Sequence, residues 1–268
     1  MIGPTASGKS AKAVSLAQER DGEVISVDSR QVYRMLDIGT EKTTLEEMNG
    51  IPHHLIDIRD PKETYSAGDF LQDATRLIED IVTRGKTPIL AGGSHFYFDA
   101  LLYGLPEETD PNPELRAKLE EYSDEELFDL VRKKDTERAA RLDPKNRRRL
   151  VRALEILATR ERVPVRDRNE MLYDVEWVVM LPEREEHRQK IDTRLEEAFS
   201  RGLMEEVSPV REHVGDERLK ELGLEYRIIG EYLRGERAGE SLLPALSSKL
   251  WQYARRQRAW IRKLTEKV

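Results

Sequence analysis

The sequence predicts an α/β fold, in which a parallel sheet is flanked by helices and interrupted by an inserted all-helical domain. Over the first hundred residues, short β-rich runs alternate with amphipathic segments, a pattern typical of a parallel sheet wrapped by helices. A charged, helix-forming stretch follows, and an apolar run at 174–181 indicates a return to the sheet. We therefore expect a discontinuous core, residues 1–106 and 174–268, around a helical insertion at 107–173.

The first part of the core alternates helices with strands. We expect helices at 11–19, 67–84 and 96–102, and strands at 23–27, 54–58 and 87–91. The helix at 67–84 is the clearest, because its apolar residues recur with a 3.6-residue period and Gly85 follows as a C-cap. Only Met1 and Ile2 precede the first glycine motif, so the first strand is either truncated or very short.

Helices dominate the rest of the chain. We expect them in the insertion at 115–119, 125–133, 137–140 and 147–159, and in the returning core at 186–202, 205–212, 226–234 and 242–267. Between these two groups, residues 174–181 alternate acidic with apolar side chains before Pro182, which predicts a strand.

The composition excludes several classes of protein. The chain has 268 residues, of which 38% are hydrophobic, so it is long and apolar enough to form a packed core. It has no cysteine, which excludes a disulfide scaffold or thiolate metal site and favours a reducing cytoplasm. No apolar run approaches the ~20 residues that span a bilayer. We expect a cytoplasmic monomer with no membrane segment.

A phosphate-binding loop is predicted at the start of the chain. The motif G-x-x-x-x-G-K-[ST] is matched at every position by Gly3, Pro4, Thr5, Ala6, Ser7, Gly8, Lys9 and Ser10. In such a loop, backbone N–H groups surround phosphate oxygens, Lys9 adds a positive charge and the Ser10 hydroxyl can bind Mg²⁺. The alternative is a chance glycine turn. The motif indicates a P-loop fold but does not identify the phosphate.

Polar residues follow two of the predicted strands. Asp28 follows the strand at 23–27, and a carboxylate at that edge of the sheet can bind a metal's water or act as a general base. The alternative is an aspartate that only caps a turn, although Arg30 and Gln31 beside it favour a polar substrate with base-like edges. The strand at 87–91 ends in two glycines and Ser94, where an ATPase usually has a metal-binding aspartate.

Two basic clusters interrupt an otherwise acidic chain, whose net charge is -7. The first comprises Lys145, Arg147, Arg148, Arg149 and Arg152, and the second comprises Arg255, Arg256, Arg258, Arg262 and Lys263, interleaved with Trp251, Tyr253 and Trp260. Arginine beside aromatic side chains suits RNA, because arginine pairs with phosphates and the rings stack on unpaired bases. The alternative is a solvated helix face. The adjacent pair His53 and His54 lacks the spacing of a metal site and is expected to be structural or to line the substrate.

Together these segments resemble the tRNA dimethylallyltransferase (tRNA isopentenyltransferase) family. The resemblance covers nearly the whole chain, and its motifs are GPTASGKS at 3–10, DSRQVY at 28–33, IGT at 38–40, GIPHHLID at 50–57, GGSHFYFDAL at 92–101, LDPKNRRRLVRALEI at 142–156 and ARRQRAWIRKL at 254–264. It implies a P-loop enzyme that binds dimethylallyl diphosphate rather than ATP. Such an enzyme transfers the dimethylallyl group to N6 of the adenine next to the anticodon (position 37) in tRNAs that read codons starting with U.

The resemblance also implies roles for individual residues. Asp28 is the expected general base, Ser94 keeps the hydroxyl of the family's usual threonine, and Lys9 and Arg194 bind the diphosphate with the loop at 3–10. Mg²⁺ is the expected cofactor. Contacts to the tRNA anticodon stem-loop are expected from Asp28, Ser29, Arg30, Gln31, Ser94, Arg116, Arg148, Arg149, Arg152, Gly223, Arg255, Arg256, Gln257, Trp260 and Arg262. The chain departs from the usual family pattern at Lys42-Thr43-Thr44 and at Leu222-Gly223-Leu224-Glu225.

Three other functions share some of these features. A free adenylate isopentenyltransferase would use the same loop and Asp28 but needs no RNA-binding surface. A small-molecule kinase would bind ATP at the loop and needs an aspartate near the third strand. A non-catalytic RNA-binding module would not need a complete phosphate loop. The basic, tryptophan-bearing C-terminal helix and the insertion favour tRNA as the acceptor.

Overall fold

The computed structural model describes residues 1–105, 112–164 and 171–265, and the chain divides into two compact units. The first unit combines Met1–Leu102 with Leu172–Val268, and the second is Tyr103–Met171. The second unit begins and ends a few residues earlier than the insertion predicted at 107–173. The sheet lies in the first unit.

Three parallel strands form this sheet in the order β2-β1-β3. Their bounds are β1 (Gly22–Val27), β2 (His53–His54) and β3 (Thr87–Gly92). Every residue of β1 is buried, as expected for a central strand whose faces are both covered. β2 is shorter than the predicted strand at 54–58, because Leu55 and Asp57 adopt positive φ angles of 62° and 56° and turn the chain away.

Single paired residues extend the sheet beyond β3. Ile2 forms parallel bridges to Gly92 and to Val179, with its N–H donating to the Val178 carbonyl at 2.9 Å. Among the described residues, Ile2 alone represents the first strand. Residues 174–181 return to the sheet as predicted, but they form a single parallel bridge, at Val179, rather than a full strand.

Nine helices surround the sheet in the described residues of the first unit. They are α1 (Lys9–Glu19), α2 (Leu45–Met48), α3 (Ala67–Thr83), α4 (His95–Tyr103), α9 (Arg184–Ser200), α10 (Leu203–Val214), α11 (Asp216–Leu219), α12 (Leu224–Leu233) and α13 (Leu242–Thr265), with a 3₁₀ turn at Gly239–Ser241. A capping box of Ser66 and Asp69 begins α3, and Gly85 at φ 75° follows its end. No described helix is both long and apolar enough to span a membrane.

The second unit is a small helical bundle. Its helices are α5 (Pro113–Leu119), α6 (Asp124–Lys134), α7 (Thr136–Ala139) and α8 (Arg147–Thr159). Leu127, Val131 and Leu150 are fully buried in its core. Arg147 donates to the backbone carbonyls of Leu119 and Tyr122 at 2.9 and 2.7 Å, so this arginine of the first basic cluster is used to close the bundle.

Candidate active site

A cavity of about 370 Å³ opens in the first unit, where the carboxyl ends of β1 and β3 meet the start of α1. Parallel sheets commonly bind ligands at this edge. Its walls include the phosphate loop, the turn after β1, residues 39–41 and residues 220–227, together with side chains of α9 and α13. The sequence motifs at 3–10, 28–33 and 38–40 therefore meet at one place.

The phosphate loop has the backbone that its glycines predict. Gly8 is left-handed at φ 79° and caps α1, whose free N–H groups can bind an anion. A Cβ on Gly3 would lie 2.5 Å from the Ser7 Oγ, so a larger residue does not fit there. The Ser7 hydroxyl is itself buried without a hydrogen-bond partner among the described residues.

Distant side chains hold this loop from behind. The Thr5 N–H donates to the Gln257 Oε1 at 2.9 Å, and the Gln257 Nε2 donates to the Gly93 carbonyl at 2.9 Å. The buried His187 donates from Nε2 to the Thr5 carbonyl at 2.7 Å, and burial lowers the pKa of this imidazole. Gln257 is only 2% exposed, so its amide mainly supports the loop, and its predicted tRNA contact stays a prediction.

Two cations predicted to bind diphosphate line the cavity. The Lys9 Nζ lies 3.3 Å from the Pro4 carbonyl, and burial lowers the pKa of this amine to about 8, although nearby Asp28 acts in the opposite direction. The Arg194 side chain is 16% exposed, donates to the Thr5 hydroxyl and lies 3.4 Å from the Glu41 carboxylate. The geometry thus brings both predicted cations to the phosphate loop.

Asp28 lies at the end of β1 and lines the same cavity. Its Oδ1 accepts the Arg30 N–H at 2.8 Å and the Gln31 N–H at 3.4 Å, so one oxygen caps the turn. No hydrogen bond to its Oδ2 occurs within the described part of the chain. The two roles considered from the sequence are therefore compatible, with one oxygen for the turn and one for a substrate.

The other residues of this turn are partly used within the protein. Ser94 accepts the Ser29 N–H at 3.1 Å and so joins the ends of β1 and β3. The Gln31 amide accepts from the Ser26 hydroxyl at 2.8 Å and donates to the carbonyls of residues 40 and 41. Ser29, Arg30 and Gln31 line the cavity as predicted, but the Gln31 amide positions a loop.

Several cavity residues are not among the predicted site residues, and three of them carry a charge or a ring next to predicted ones. Glu41 contacts Arg194, Tyr253 lies under the Arg256 guanidinium at 5.9 Å from its ring centroid, and Glu225 lies beside Gly223. Burial raises the pKa of the Glu225 carboxyl, against the effect of Arg194. The unusual Leu222-Gly223-Leu224-Glu225 segment and the aromatic residues of the second basic cluster were the only signals in the sequence.

The cavity offers few metal ligands. Among residues 1–105, 112–164 and 171–265, no group of three or more acidic or histidine side chains is arranged to bind a metal ion. The Ser10 hydroxyl is exposed in the first turn of α1 and lines the cavity. This donor set fits an ion that is held mainly by substrate phosphates and water, as Mg²⁺ commonly is. The His54 Nε2 lies 2.8 Å from the Glu23 carboxylate, and neither residue lines the cavity.

Helix α13 presents part of the second basic cluster to solvent. Arg255, Arg256 and Arg262 are exposed. Trp260 is half-buried and packs near His95 and Phe98, with ring centroids 5.5 and 6.3 Å away. Its ring is therefore used in packing, which leaves the arginines as the accessible part of this predicted tRNA surface.

Arginines of the second unit fall into two groups. Arg116 and Arg152 share the buried Glu155 carboxylate, at 2.7 and 3.2 Å, so one negative charge offsets part of their combined positive charge. Arg148 and Arg149 are exposed, without an ion pair in the described part of the unit. Exposed guanidinium groups without an ion pair bind phosphates more readily than paired ones, because no contact with a carboxylate has to be broken first.

Comparison with known proteins assigns this site to a family. A family model described as "IPP transferase" matches residues 31–264. The chain belongs to the IPP transferase family. The match includes Arg194, the 220–225 segment and α13, and it confirms the family resemblance found in the sequence.

Similar proteins support this assignment to the IPP transferases. The tRNA dimethylallyltransferase of Thermomicrobium roseum is 42% identical in an alignment that is 275 residues long with its gaps and covers 99% of this chain and 83% of that protein. The tRNA isopentenylpyrophosphate transferase of Bacillus halodurans has 36% identity and a TM-score of 0.72, covering 97% of this chain and 85% of that one. A eukaryotic dimethylallyltransferase, solved acting on tRNA, has 29% identity and a TM-score of 0.82, covering 97% and 68%. The predicted α/β fold class is confirmed.

Proposed function

We propose that this IPP transferase moves the dimethylallyl group of dimethylallyl diphosphate to N6 of the adenine at position 37 of tRNAs that read codons starting with U. The observation that carries the proposal is one cavity that combines a phosphate loop, Lys9 and Arg194 with the carboxylate of Asp28. The relatives described above are named as transferases acting on tRNA, which favours tRNA over a free adenylate as acceptor. A kinase reaction is disfavoured because β3 ends in glycine rather than aspartate.

In this reaction N6 attacks C1 of the dimethylallyl group while the bond from C1 to the diphosphate oxygen breaks. Lys9, Arg194 and the N–H groups of the loop stabilise the charge on the leaving diphosphate. The adenine amine is a poor nucleophile, because its lone pair is delocalised into the ring. Asp28 accepts the proton that the amine loses, through the oxygen that does not cap the turn.

Mg²⁺ is the proposed cofactor, and Ser10 is the residue that would contribute a ligand to it. A divalent cation of this kind neutralises phosphate charge in the complex. The rest of its ligands would be diphosphate oxygens and water, in agreement with the absence of an acidic cluster among the described residues.

The tRNA anticodon stem-loop is the proposed partner. Exposed Arg255, Arg256 and Arg262 on α13 and exposed Arg148 and Arg149 in the second unit are proposed to contact its phosphates. Arg30 and Gly223 line the cavity and are proposed to contact the target nucleotide. The monomeric state and a cytoplasmic location, where unmodified tRNA is found, complete the proposal.

The proposal can be tested by incubating the protein with Mg²⁺ and dimethylallyl diphosphate labelled in the dimethylallyl group. We expect label in unmodified tRNA with adenine at position 37, and none in the same tRNA with guanine there. Label in AMP instead would favour the free adenylate alternative. Transfer of the terminal phosphate of ATP to a small molecule, without transfer to tRNA, would favour a kinase.

A further inference from the structure

Glu41 has an unusual backbone conformation for its residue type. Its φ is 54°, in the left-handed region that few residues other than glycine adopt. Such a conformation is strained for a residue with a side chain and persists only where surrounding contacts enforce it. Glu41 lines the cavity together with Gly39 and Thr40. Neighbouring contacts must therefore fix this backbone, and the side chain that it places in the cavity is expected to have a role there.

Hydrogen bonds from distant side chains fix the backbone on both sides of Glu41. The carboxylate of Glu206, on α10, accepts hydrogen bonds from the N–H groups of residues 37, 38 and 39, at 2.9, 2.6 and 3.0 Å. The Gln31 Nε2 donates to the Glu41 carbonyl at 3.0 Å. On the far side, the Lys42 Nζ donates to the Tyr33 carbonyl at 2.9 Å. The loop is thus held rigidly against the core.

The Glu41 side chain forms an ion pair inside the cavity. The Glu41 Oε1 lies 3.4 Å from the Arg194 Nε and 3.2 Å from the Arg201 Nη2. Arg194 is nearly buried, whereas Arg201 is half-exposed. Burial raises the pKa of the Glu41 carboxyl, and the neighbouring Arg194 and Arg201 act in the opposite direction. Glu41 therefore balances the same guanidinium that the proposed function assigns to the diphosphate.

We propose that Glu41 is an internal counter-ion for Arg194, which pairs with the guanidinium when no diphosphate is bound and is exchanged for diphosphate oxygens when one binds. This inference rests on the proposed function of the cavity. Arg201 remains as the partner of Glu41 after the exchange. Because the carboxylate competes with the anion for Arg194, Glu41 weakens the binding of diphosphate, including that of the product, and so favours its release. Glu41 is a positioning residue that acts through Arg194.

The test is calorimetric titration of inorganic pyrophosphate, with Mg²⁺, into four proteins: the parent, Glu41→Gln, Arg194→Gln and the double variant. We expect Glu41→Gln to bind pyrophosphate about tenfold more tightly than the parent, because a competing charge close to the guanidinium is removed. In the Arg194→Gln background the same change should alter affinity less than twofold, since there is no guanidinium to compete for. Glu197→Gln is the matched control: Glu197 is an exposed carboxylate near Glu41 that forms no ion pair with Arg194 in the described structure, and its loss should leave affinity unchanged.

The sign of the effect separates this role from a merely structural one. If Glu41 only shaped the loop, its replacement would weaken pyrophosphate binding, and that result or an unchanged affinity would overturn the inference. An equal gain in both backgrounds would also overturn it, because the carboxylate would then act on the anion directly. Glu41→Asn provides a second variant that tolerates the left-handed backbone, and it should show the same gain. A parent that binds no pyrophosphate would contradict the proposed function as well, whereas binding with no effect of Glu41 contradicts only this inference.

Discussion

At the scale of single residues, Lys9 and Asp28 have complementary positions in the cavity. Lys9 is surrounded by protein, which disfavours its charge, while Asp28 nearby favours it. A cation held in this way gains more from an arriving anion than a solvated lysine does, because little water must be displaced. One carboxylate oxygen of Asp28 caps the turn, and the other is available to a substrate in the cavity. Lys9 gives a prediction about binding, and Asp28 gives one that separates binding from turnover.

The first prediction concerns the pH dependence of pyrophosphate binding. The pKa of Lys9 is about 8 in the free protein, below the ordinary lysine value of 10.5, and only the protonated amine attracts the anion. Affinity should therefore be full below about pH 7 and decrease as the pH rises through 8, well before an ordinary lysine would titrate. Calorimetric titration between pH 6.5 and 9.5 measures this, with Lys9→Met as the control that corrects for titration of pyrophosphate itself. A profile identical to that of Lys9→Met would contradict the prediction.

The second prediction separates the two roles of Asp28. In Asp28→Asn the side-chain oxygen can still accept the Arg30 N–H, so the turn should be kept, but the amide cannot accept a proton from the substrate. We expect both substrates to bind nearly as in the parent and turnover to fall by ~10²-fold or more. Single-turnover rates and binding constants measure this separately. Normal turnover with much weaker binding of Mg²⁺ and diphosphate would instead assign Asp28 to the metal.

At the scale of secondary-structure elements, a buried carboxylate connects the sheet to the end of α3. Glu23 on β1 is 3% exposed and bonds to His54 of β2 and to Arg84, which follows α3. Hydrogen bonds from Arg84 are the main reason that the pKa of Glu23 falls to about 2. A buried carboxylate with two partners stabilises the fold only while it is ionised.

The third prediction follows from this pKa. Because the pKa of Glu23 is lower in the folded state than in the unfolded state, its stabilisation is present above about pH 4.5 and is lost as the pH falls toward 2. A shift of this size corresponds to about 3 kcal/mol. The free energy of unfolding, measured in urea, should therefore fall by about that amount more for the parent than for Glu23→Gln between pH 6 and 2. Glu46→Gln, at an exposed position on α2, should behave like the parent.

At the scale of the whole molecule, the exposed arginines of α13 are proposed to bind a polyanion although the chain carries a net charge of -7. The acidic residues repel RNA in general, so binding depends on local groups that release counter-ions from phosphates. Arg255 and Arg256 are adjacent, exposed and next to the cavity residue Tyr253.

The fourth prediction is that Arg255→Ala combined with Arg256→Ala weakens tRNA binding and lowers the slope of log affinity against log salt by about two. Affinity for pyrophosphate should change little. The matched control replaces Arg20 and Arg76, two exposed arginines that already pair with Glu176 and Asp73. If the double variant and the parent bind tRNA equally at all salt concentrations, these arginines are only a solvated helix face.

Local patterns predicted much of this molecule. The phosphate loop, β1 and α3 depend on neighbouring residues, namely the glycines, the apolar run and the 3.6-residue apolar period before Gly85, and the sequence predicts all three. The four-residue helices α2 and α11 are not predicted, whereas α7, which is equally short, is predicted within the charged helical stretch of the insertion.

Contacts between distant residues could not be predicted. Glu206 is 168 positions from the N–H group of Ile38 that it accepts, and no local pattern in α10 marks it. The sequence does not show that Arg116 and Arg152 share the buried Glu155 carboxylate, and their contact with tRNA stays a prediction. The roles of Gln257, Trp260 and Glu41 depend in the same way on tertiary packing.

The support of the phosphate loop has a consequence for the order in which the protein is made. The loop occupies the first ten residues, but the Thr5 backbone is held by His187 and Gln257, which are 182 and 252 positions away. Synthesis proceeds from the N-terminus at ~5–20 residues per second, so the loop emerges from the ribosome long before either partner. The support of the loop can therefore be completed only after residue 257 has emerged.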